Sequence, residues 1–146
     1  MLGEGAFDMR QLCEEETTAL LTAGRVGRLG CIHNGDPYVV PINYLFEGDV
    51  IYSHSLPGMK IQAMRSFPRV CLQVDEITDD FNWRSVLAFG RFEELSNAHD
   101  RNTILAKLLC HFSKLTPVES MIVQDANAPA AVVFRIVIDR VTGVAE

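Results

Sequence analysis

The segment YSHSLPGMK, residues 52–60, concentrates residue types that bind an anion. It ends a β-branched and aromatic run and leads into a stretch with apolar residues at helical spacing. A helix that starts there would direct unpaired backbone amides, at the positive end of its dipole, toward a bound group. Lys60 adds a full charge, His54 and Ser55 add hydrogen-bond donors, and Gly58 allows close approach to the backbone. This pattern is typical of a phosphate site.

The same pattern has a simpler interpretation. A strand, a Pro-Gly turn and a capped helix with a solvated lysine occur in many proteins that bind nothing at that point. The residues alone therefore leave two alternatives open, a phosphate site and an ordinary helix start.

Cysteine and histidine form no recognisable catalytic or metal-binding pattern. The four cysteines are widely spaced and include no CxxC pair, which favours reduced side chains over disulfides. Cys31 and His33 would share one face of a strand, but no second pair supplies the other ligands of a structural zinc site. Cys110 and His111 are adjacent on a predicted helix and point in different directions. The sequence predicts no metal centre and identifies no catalytic acid, base or nucleophile.

Length and charge limit the classes of protein that this chain can be. With 146 residues, 48% of them hydrophobic, it is expected to form one domain, 1–146, around one core. The formal net charge is −6 and the basic residues are dispersed, which argues against a nucleic-acid or anionic-membrane partner. No apolar run approaches the roughly 20 residues of a membrane span, and the first residues lack the pattern of a signal peptide. A cytoplasmic location is expected.

The elements around the YSHSLPGMK segment are predicted from hydrophobic periodicity and turn residues. Six strands are expected at 25–32, 37–46, 50–54, 69–75, 83–95 and 130–141. Short turns join the first three, Asn34-Gly35-Asp36 being the clearest. A polar loop, 76–82, is expected between the fourth and fifth strands, and Gly90 marks a bend or bulge.

Helical spacing of apolar residues predicts the helices. The first, or two short ones, lies between Met9 and Thr22 and is ended by Gly24. The second starts with Pro57 at its first position and is ended by Pro68. The third, 101–113, is begun by Asn97 or Asp100, with apolar positions that include Phe112.

The strand pattern predicts a mainly β fold with peripheral helices, built as an antiparallel six-stranded, closed or nearly closed barrel. Such a small barrel is filled by its own side chains, so a cofactor would lie outside it, in a groove or at a subunit interface. The fourth and fifth strands, VCLQV and VLAF, are apolar on both faces, whereas the barrel interior buries only one. A homodimer that covers the other face is therefore expected.

Four separated segments agree in order and spacing with a known family. They are GRVGRLG, NGDPYVVPINYLFEGDVIYSHSLPGMKIQAMRSFPRVCLQVDE, WRSVLAFGRFEEL and a last strand that ends in DRVTG, and the similarity covers roughly residues 14–142. This arrangement resembles the pyridoxamine 5'-phosphate oxidase-like FMN-binding split-barrel family, most closely its branch of nitroimidazole-resistance proteins. The resemblance implies a split barrel that forms a homodimer with two FMN molecules at its interface.

The resemblance also implies which residues contact the cofactor. The strand that lines the flavin ring corresponds to Val40, Pro41, Ile42, Asn43 and Tyr44. The ribityl and phosphate end corresponds to Ser53, His54, Ser55 and Lys60, and the positions that reach in from the other subunit correspond to Trp83 and Ser85. Met59 stands where the family has a second basic residue, so the phosphate would have fewer cationic partners here.

Each assignment has a purely structural alternative. Pro41 and Ile42 would also suit a strand core, and His54 would suit a turn. Trp83 would suit an ordinary strand start, and Tyr44 could equally face solvent.

The leading functional hypothesis is an FMN-dependent oxidoreductase that reduces a small, flat, electron-poor organic molecule stacked on the flavin. The flavin would supply the chemistry, and the protein would supply binding and a shaped pocket. The alternative is a non-enzymatic module that holds a flavin or a haem. Some split-barrel relatives bind haem, and the candidate axial ligands would be His33, His54, His99 and His111.

Overall fold

A computed structural model describes residues 9–111 and 131–146. In these ranges eight antiparallel strands and three helices follow one another. They are β1 Arg10–Gln11, α1 Glu14–Ala23, β2 Val26–His33, β3 Asp36–Asn43, β4 Leu45–Glu47, β5 Val50–Ser55, α2 Met59–Ser66, β6 Arg69–Asp79, β7 Asn82–Glu94, α3 Ala98–His111 and β8 Val132–Ala145. The predicted mainly β fold with peripheral helices is confirmed.

The strands pair in the order β3-β2-β6-β7-β8-β5-β4, and β1 adds to β8. The first and last strands of this order, β3 and β4, are joined in the chain by the single residue Tyr44. The sheet therefore closes into a ring. Counted around the ring, β3 and β4 are one bent strand, and the ring contains six strands as predicted. The total is eight rather than six because Tyr44 interrupts the predicted strand 37–46 and because the short β1 was not predicted.

Tyr44 fixes this bend. Its side chain is completely buried, and its hydroxyl donates a hydrogen bond of 2.7 Å to the carbonyl of Leu21 on α1. Its backbone N–H donates to the carbonyl of Arg25 at 3.1 Å, outside the strand ladder. Burial raises the pKa of Tyr44 to about 12, so the phenol remains a neutral donor. The alternative in which Tyr44 faces solvent is therefore wrong.

The first helix is shorter than predicted. It begins at Glu14 rather than Met9, because Arg10–Gln11 pair with β8 and Cys13 is the residue before the first turn. The Glu16 carboxylate accepts the Cys13 N–H at 3.1 Å, which satisfies a donor that the helix leaves free. Gly24 follows the last turn, as predicted.

The other helices also differ from prediction at their starts. The α2 helix begins at Met59, not Pro57, because Gly58 has an extended backbone and is itself the residue before the first turn. The α3 helix begins after Asn97, whose side-chain oxygen accepts the Asp100 N–H at 3.1 Å. Phe112, Ser113 and Ala130, which the predicted elements included, lie outside the described residues.

The prediction of a polar loop at 76–82 is wrong, because these residues extend a β-hairpin. Ladder pairing continues to Ile77 opposite Trp83 and closes with Asp79 opposite Asn82. Asp79 stabilises the tight turn, since its carboxylate accepts the Phe81 N–H at 2.9 Å and the Asn82 side-chain amide at 2.8 Å. Polar composition indicated a loop here, but cross-strand pairs between Glu76 and Arg84 suit an exposed strand equally well.

Gly90 is the predicted bulge. The β7–β8 register shifts between Phe89 and Gly90, and Gly90 is buried against β8. A Cβ atom at this position would lie 2.3 Å from the carbonyl oxygen of Val137, so no other residue fits without moving the backbone.

Strands β2, β6 and β7 have two unequal faces. Their inward residues, among them Leu29, Leu72 and Val86, form the buried core. Their outward residues are mostly half-buried and form what we call the outer sheet face: Arg28, Gly30, Cys71, Gln73, Asp75, Ser85, Leu87 and Phe89. Arg140 of β8 covers one end of this face, with its guanidinium 3.9 Å from the Phe89 ring centre.

None of the three described helices combines the length and the hydropathy needed to span a bilayer. All four cysteines lie in the described part of the chain and are free thiols.

Candidate functional site

The start of α2 presents the anion-binding groups expected from the sequence. Gly58 precedes the helix with an extended backbone, and no side chain caps the first turn. The backbone amides of that turn, including those of Met59 and Lys60, therefore lack intrahelical acceptors. Because α2 has eight residues, its dipole adds a partial positive charge at this end.

Lys60 lies in the first turn of α2 and is half-buried. Burial lowers the pKa of its ammonium group below the usual 10.5, and the nearby Cys31 thiol opposes that shift. Lys60 forms no ion pair with any carboxylate in the described part of the chain, whereas Lys107 pairs with Glu47 at 2.8 Å. A half-buried cation beside free amides is a favourable place for an anion.

Strand β5 brings Ser53 and Ser55 to one face. Both are buried, and their hydroxyls donate to the carbonyls of Asn43 at 2.6 Å and Leu56 at 2.8 Å. Each hydroxyl oxygen can still accept a hydrogen bond. His54 is on the opposite face of the strand, because side chains alternate along it. The structure thus groups the two serines before α2 and separates His54 from them.

The predicted flavin-ring segment divides between the two sides of the barrel wall. Ile42 and Tyr44 are buried in the core, and Val40 packs against it. Pro41 is exposed on the outer side, opposite Arg28 of β2, and Asn43 is half-buried on the same side. A molecule outside the barrel would therefore meet the backbone of this segment and the side chains of Pro41 and Asn43.

Trp83 and Ser85 lie on the outer side of the β6–β7 hairpin. Two apolar side chains at the tip of this hairpin are open to solvent, Ile77 with 66% and Phe81 with 74% of its surface exposed. Ile77 is the direct cross-strand neighbour of Trp83. A groove of about 260 Å³ lies beside Trp83 and is bordered by Arg10. Exposed apolar surface of this kind is typical of a contact with another molecule.

Ser53 and Trp83 lie beside opposite ends of β8 within one chain. Ser53 pairs with Phe134 near the start of β8, whereas Arg84, next to Trp83, pairs with Ala145 at its end. Eleven residues of β8 separate these points, which is up to roughly 35 Å at about 3.3 Å per residue. The strand pairing thus separates the serines from Trp83 along β8 within one chain.

A polar network on the outer sheet face was not predicted. Arg28 donates to the Asp75 carboxylate at 3.0 Å and to the side-chain amide oxygen of Gln73 at 3.3 Å. Gln73 in turn donates to Asp75 and to the Ser85 hydroxyl, both at 3.0 Å. The alternation in VCLQVDE places Gln73 and Asp75 on one face, but only the strand register shows that Arg28 and Ser85 join them.

An apolar groove of about 400 Å³ continues the same side of the molecule toward the end of α2. Its lining includes Tyr38, Val39, Phe67, Cys71 and Phe89, of which Val39 is 67% exposed. A flat aromatic molecule or a second protein surface could cover such a groove.

The chain is similar to proteins of known structure over nearly its whole length. A FAD-binding protein from Mesorhizobium loti is 37% identical, with a TM-score of 0.75, over 96% of this chain and 99% of that one. A candidate 5-nitroimidazole antibiotic resistance protein from Bacteroides thetaiotaomicron is 20% identical, with a TM-score of 0.72, over 94% of this chain and 88% of that one. At that lower identity the similarity shows the shared fold.

An uncharacterized protein of Rhizobium meliloti is 41% identical over 87 residues, which are 60% of this chain and 58% of that protein. The match thus spans less than two thirds of that relative. The family model described as pyridoxamine 5'-phosphate oxidase matches residues 13–145. Together with the ring of antiparallel strands, this match over almost all of the chain shows that the protein belongs to the pyridoxamine 5'-phosphate oxidase family.

Proposed function

We propose that the protein is an FMN-binding flavoprotein, an oxidoreductase that reduces a small electron-poor organic molecule at a homodimer interface. The observation that supports it best is Lys60, a half-buried lysine in the helix turn whose backbone amides lack acceptors, with no carboxylate partner in the described residues. A phosphate monoester would satisfy both the amides and the charge. When bound, the flavin supplies the redox chemistry, and the chain binds and orients it.

The choice of flavin rests on the size of the anion site. The Mesorhizobium loti relative is a FAD-binding protein, and FAD contains the same riboflavin phosphate unit as FMN. Lys60 is the one lysine or arginine among residues 53–62, around this helix start, which suits a single phosphate. We therefore assign FMN, and liquid chromatography of the cofactor released by heat distinguishes it from FAD.

The protein is expected to purify yellow, with about one FMN per chain. Riboflavin lacks the phosphate and should bind at least about tenfold more weakly, because charge-assisted hydrogen bonds are worth roughly 1.5–3 kcal/mol. Quenching of flavin fluorescence measures both affinities. Equal affinities would remove the phosphate site, and a Soret band in place of flavin absorption would support the haem alternative.

We propose a homodimer because the strand pairing separates two parts of the predicted site within one chain. The serines before α2 and Trp83 lie at opposite ends of β8, whereas a second copy could place its own Trp83 beside the first chain's flavin. The open hairpin tip with Ile77 and Phe81 suits such a contact. On the outer sheet face, half-buried Cys71, Leu87 and Phe89 give this contact an apolar surface to continue on.

Replacement of Trp83 by alanine tests the composite site. We expect FMN affinity to fall by about 1–3 kcal/mol, the range for an aromatic anchor at an interface, with little loss of thermal stability in the apo protein. Fluorescence titration and thermal unfolding measure the two effects. A collapse of apo stability with FMN affinity retained would show that Trp83 is an ordinary packing residue.

Mixed dimers give a sharper test. A dimer of one Lys60→Met chain and one Trp83→Ala chain, purified with two different tags, contains one site with both native residues and one site with neither. Such a dimer should bind about one FMN tightly, although neither homodimeric variant does. If each site came from a single chain, the mixed dimer would have no intact site and would bind as weakly as its parents.

A further inference from the structure

The hydroxyl of Ser85 occupies a defined place in the polar network of the outer sheet face. The Gln73 amide donates to Ser85 Oγ at 3.0 Å and to Asp75 Oδ2 at 3.0 Å. A carboxylate only accepts, so the group that faces Asp75 must be the Gln73 NH₂. Arg28, which only donates, contacts the other end of the same amide at Oε1, 3.3 Å away. Asp75 and Arg28 thus fix the orientation of the Gln73 amide.

This orientation decides what the Ser85 hydroxyl can do. A hydroxyl has one donor hydrogen and two acceptor lone pairs. Because Ser85 Oγ accepts from Gln73, one lone pair is occupied. Within the described residues, Ser85 donates no hydrogen bond to the protein. Ser85 is half-buried on the outer face, so its hydrogen is available to a group that covers that face.

We propose that Gln73 and Arg28 are positioning residues that make Ser85 a hydrogen-bond donor toward an acceptor atom of the flavin in the partner subunit's site. This inference rests on the proposed function, which places Ser85 at that flavin. A flavin offers ring carbonyls, ring nitrogens and phosphate oxygens as acceptors, and a donor fixed in advance costs less to order on binding. Arg28 of β2 lies opposite Pro41 of β3, so the network also adjoins the segment expected to line the chain's own flavin.

Replacement of Gln73 by glutamate reverses the direction of the hydrogen bond between residue 73 and Ser85. The two side chains are nearly the same size, but the carboxylate introduced by this change would accept the Ser85 hydrogen and leave only lone pairs toward the flavin. We expect Gln73→Glu to weaken FMN binding at least about tenfold and Ser85→Ala about fivefold. In the Ser85→Ala background, Gln73→Glu should add less than about a twofold change, because there is no hydroxyl left to reorient.

Four proteins are titrated with FMN by fluorescence quenching: the wild type, the two single variants and the double variant. Asn102→Asp, at an exposed position on α3, adds the same charge away from the sheet and should leave affinity unchanged. If Gln73→Glu fails to fold by circular dichroism, Gln73→Met replaces it, with an expected loss of about threefold that again vanishes in the Ser85→Ala background.

Two results would overturn the inference. One is an equal effect of the Gln73 change in both backgrounds, which a general structural role or a long-range charge effect predicts. The other is an unchanged affinity in Ser85→Ala. In both cases, a wild-type protein that still binds FMN more tightly than riboflavin would show that the proposed flavin site stands and that only this inference is wrong. A wild-type protein that binds no flavin would overturn the proposed function together with this inference.

Discussion

Replacement of Lys60 by methionine is expected to weaken FMN binding by about 1.5–3 kcal/mol, or roughly 10- to 150-fold. The ammonium group is half-buried at the start of α2 and has no carboxylate partner among the described residues, so its charge is available to a bound phosphate. Methionine keeps a side chain of similar length and removes only the charge and the donors. Fluorescence titration of the apo variant with FMN measures the loss.

Lys107→Met is the matched control, because Lys107 is exposed on α3 and pairs with Glu47. It should leave FMN affinity unchanged. If Lys60→Met also binds FMN as tightly as the wild type, Lys60 is an ordinary surface lysine and the proposal of a phosphate site at this helix start is wrong.

The pH profile of binding provides an independent check on Lys60. Burial lowers the pKa of its ammonium group below 10.5. Only the protonated form attracts a phosphate, so FMN affinity should fall as the pH rises through this lowered pKa. Riboflavin, which lacks the phosphate, should show a weaker pH dependence, and so should the Lys60→Met variant.

Gly90→Ala is expected to destabilise the fold by about 3 kcal/mol, the upper part of the range for overpacked cores. The added methyl group would lie 2.3 Å from the Val137 carbonyl oxygen and 2.9 Å from the Ile136 side chain. A side chain can rotate away, but a backbone carbonyl in a strand ladder cannot, so β7 and β8 must separate locally. Denaturant unfolding of the apo protein at fixed concentration measures the change.

Gly58→Ala is the control for this substitution, because its Cβ would meet only the Leu56 carbonyl, at 3.9 Å, on extended backbone. It should cost less than about 1 kcal/mol. Equal stability of Gly90→Ala and wild type would mean that the bulge adjusts easily, contrary to the packing seen here.

The sequence by itself determined most of the strands and the Gly90 bulge, gave Asn97 as one of two candidate caps of α3, and identified residues 52–60 as a candidate anion site. These features depend on local chemistry: alternation of apolar side chains, turn residues, caps and the properties of a helix N-terminus. Local chemistry failed where composition was ambiguous. The polar segment 76–82 suited a loop or an exposed hairpin equally. Pro57 suited the first position of a helix, but α2 begins two residues later, at Met59, because Gly58 has an extended backbone.

Only the tertiary structure decided how distant segments meet. The bend at Tyr44 depends on a hydrogen bond to Leu21 on another element, and the network around Gln73 depends on the register of three strands. The register along β8 places Ser53 beside Phe134 near one end of that strand and Trp83 near Ala145 at the other. Sequence periodicity assigns a residue to a face of its own strand, but it contains no information about which residue of another strand lies opposite, because pairing register is fixed by packing of the whole barrel.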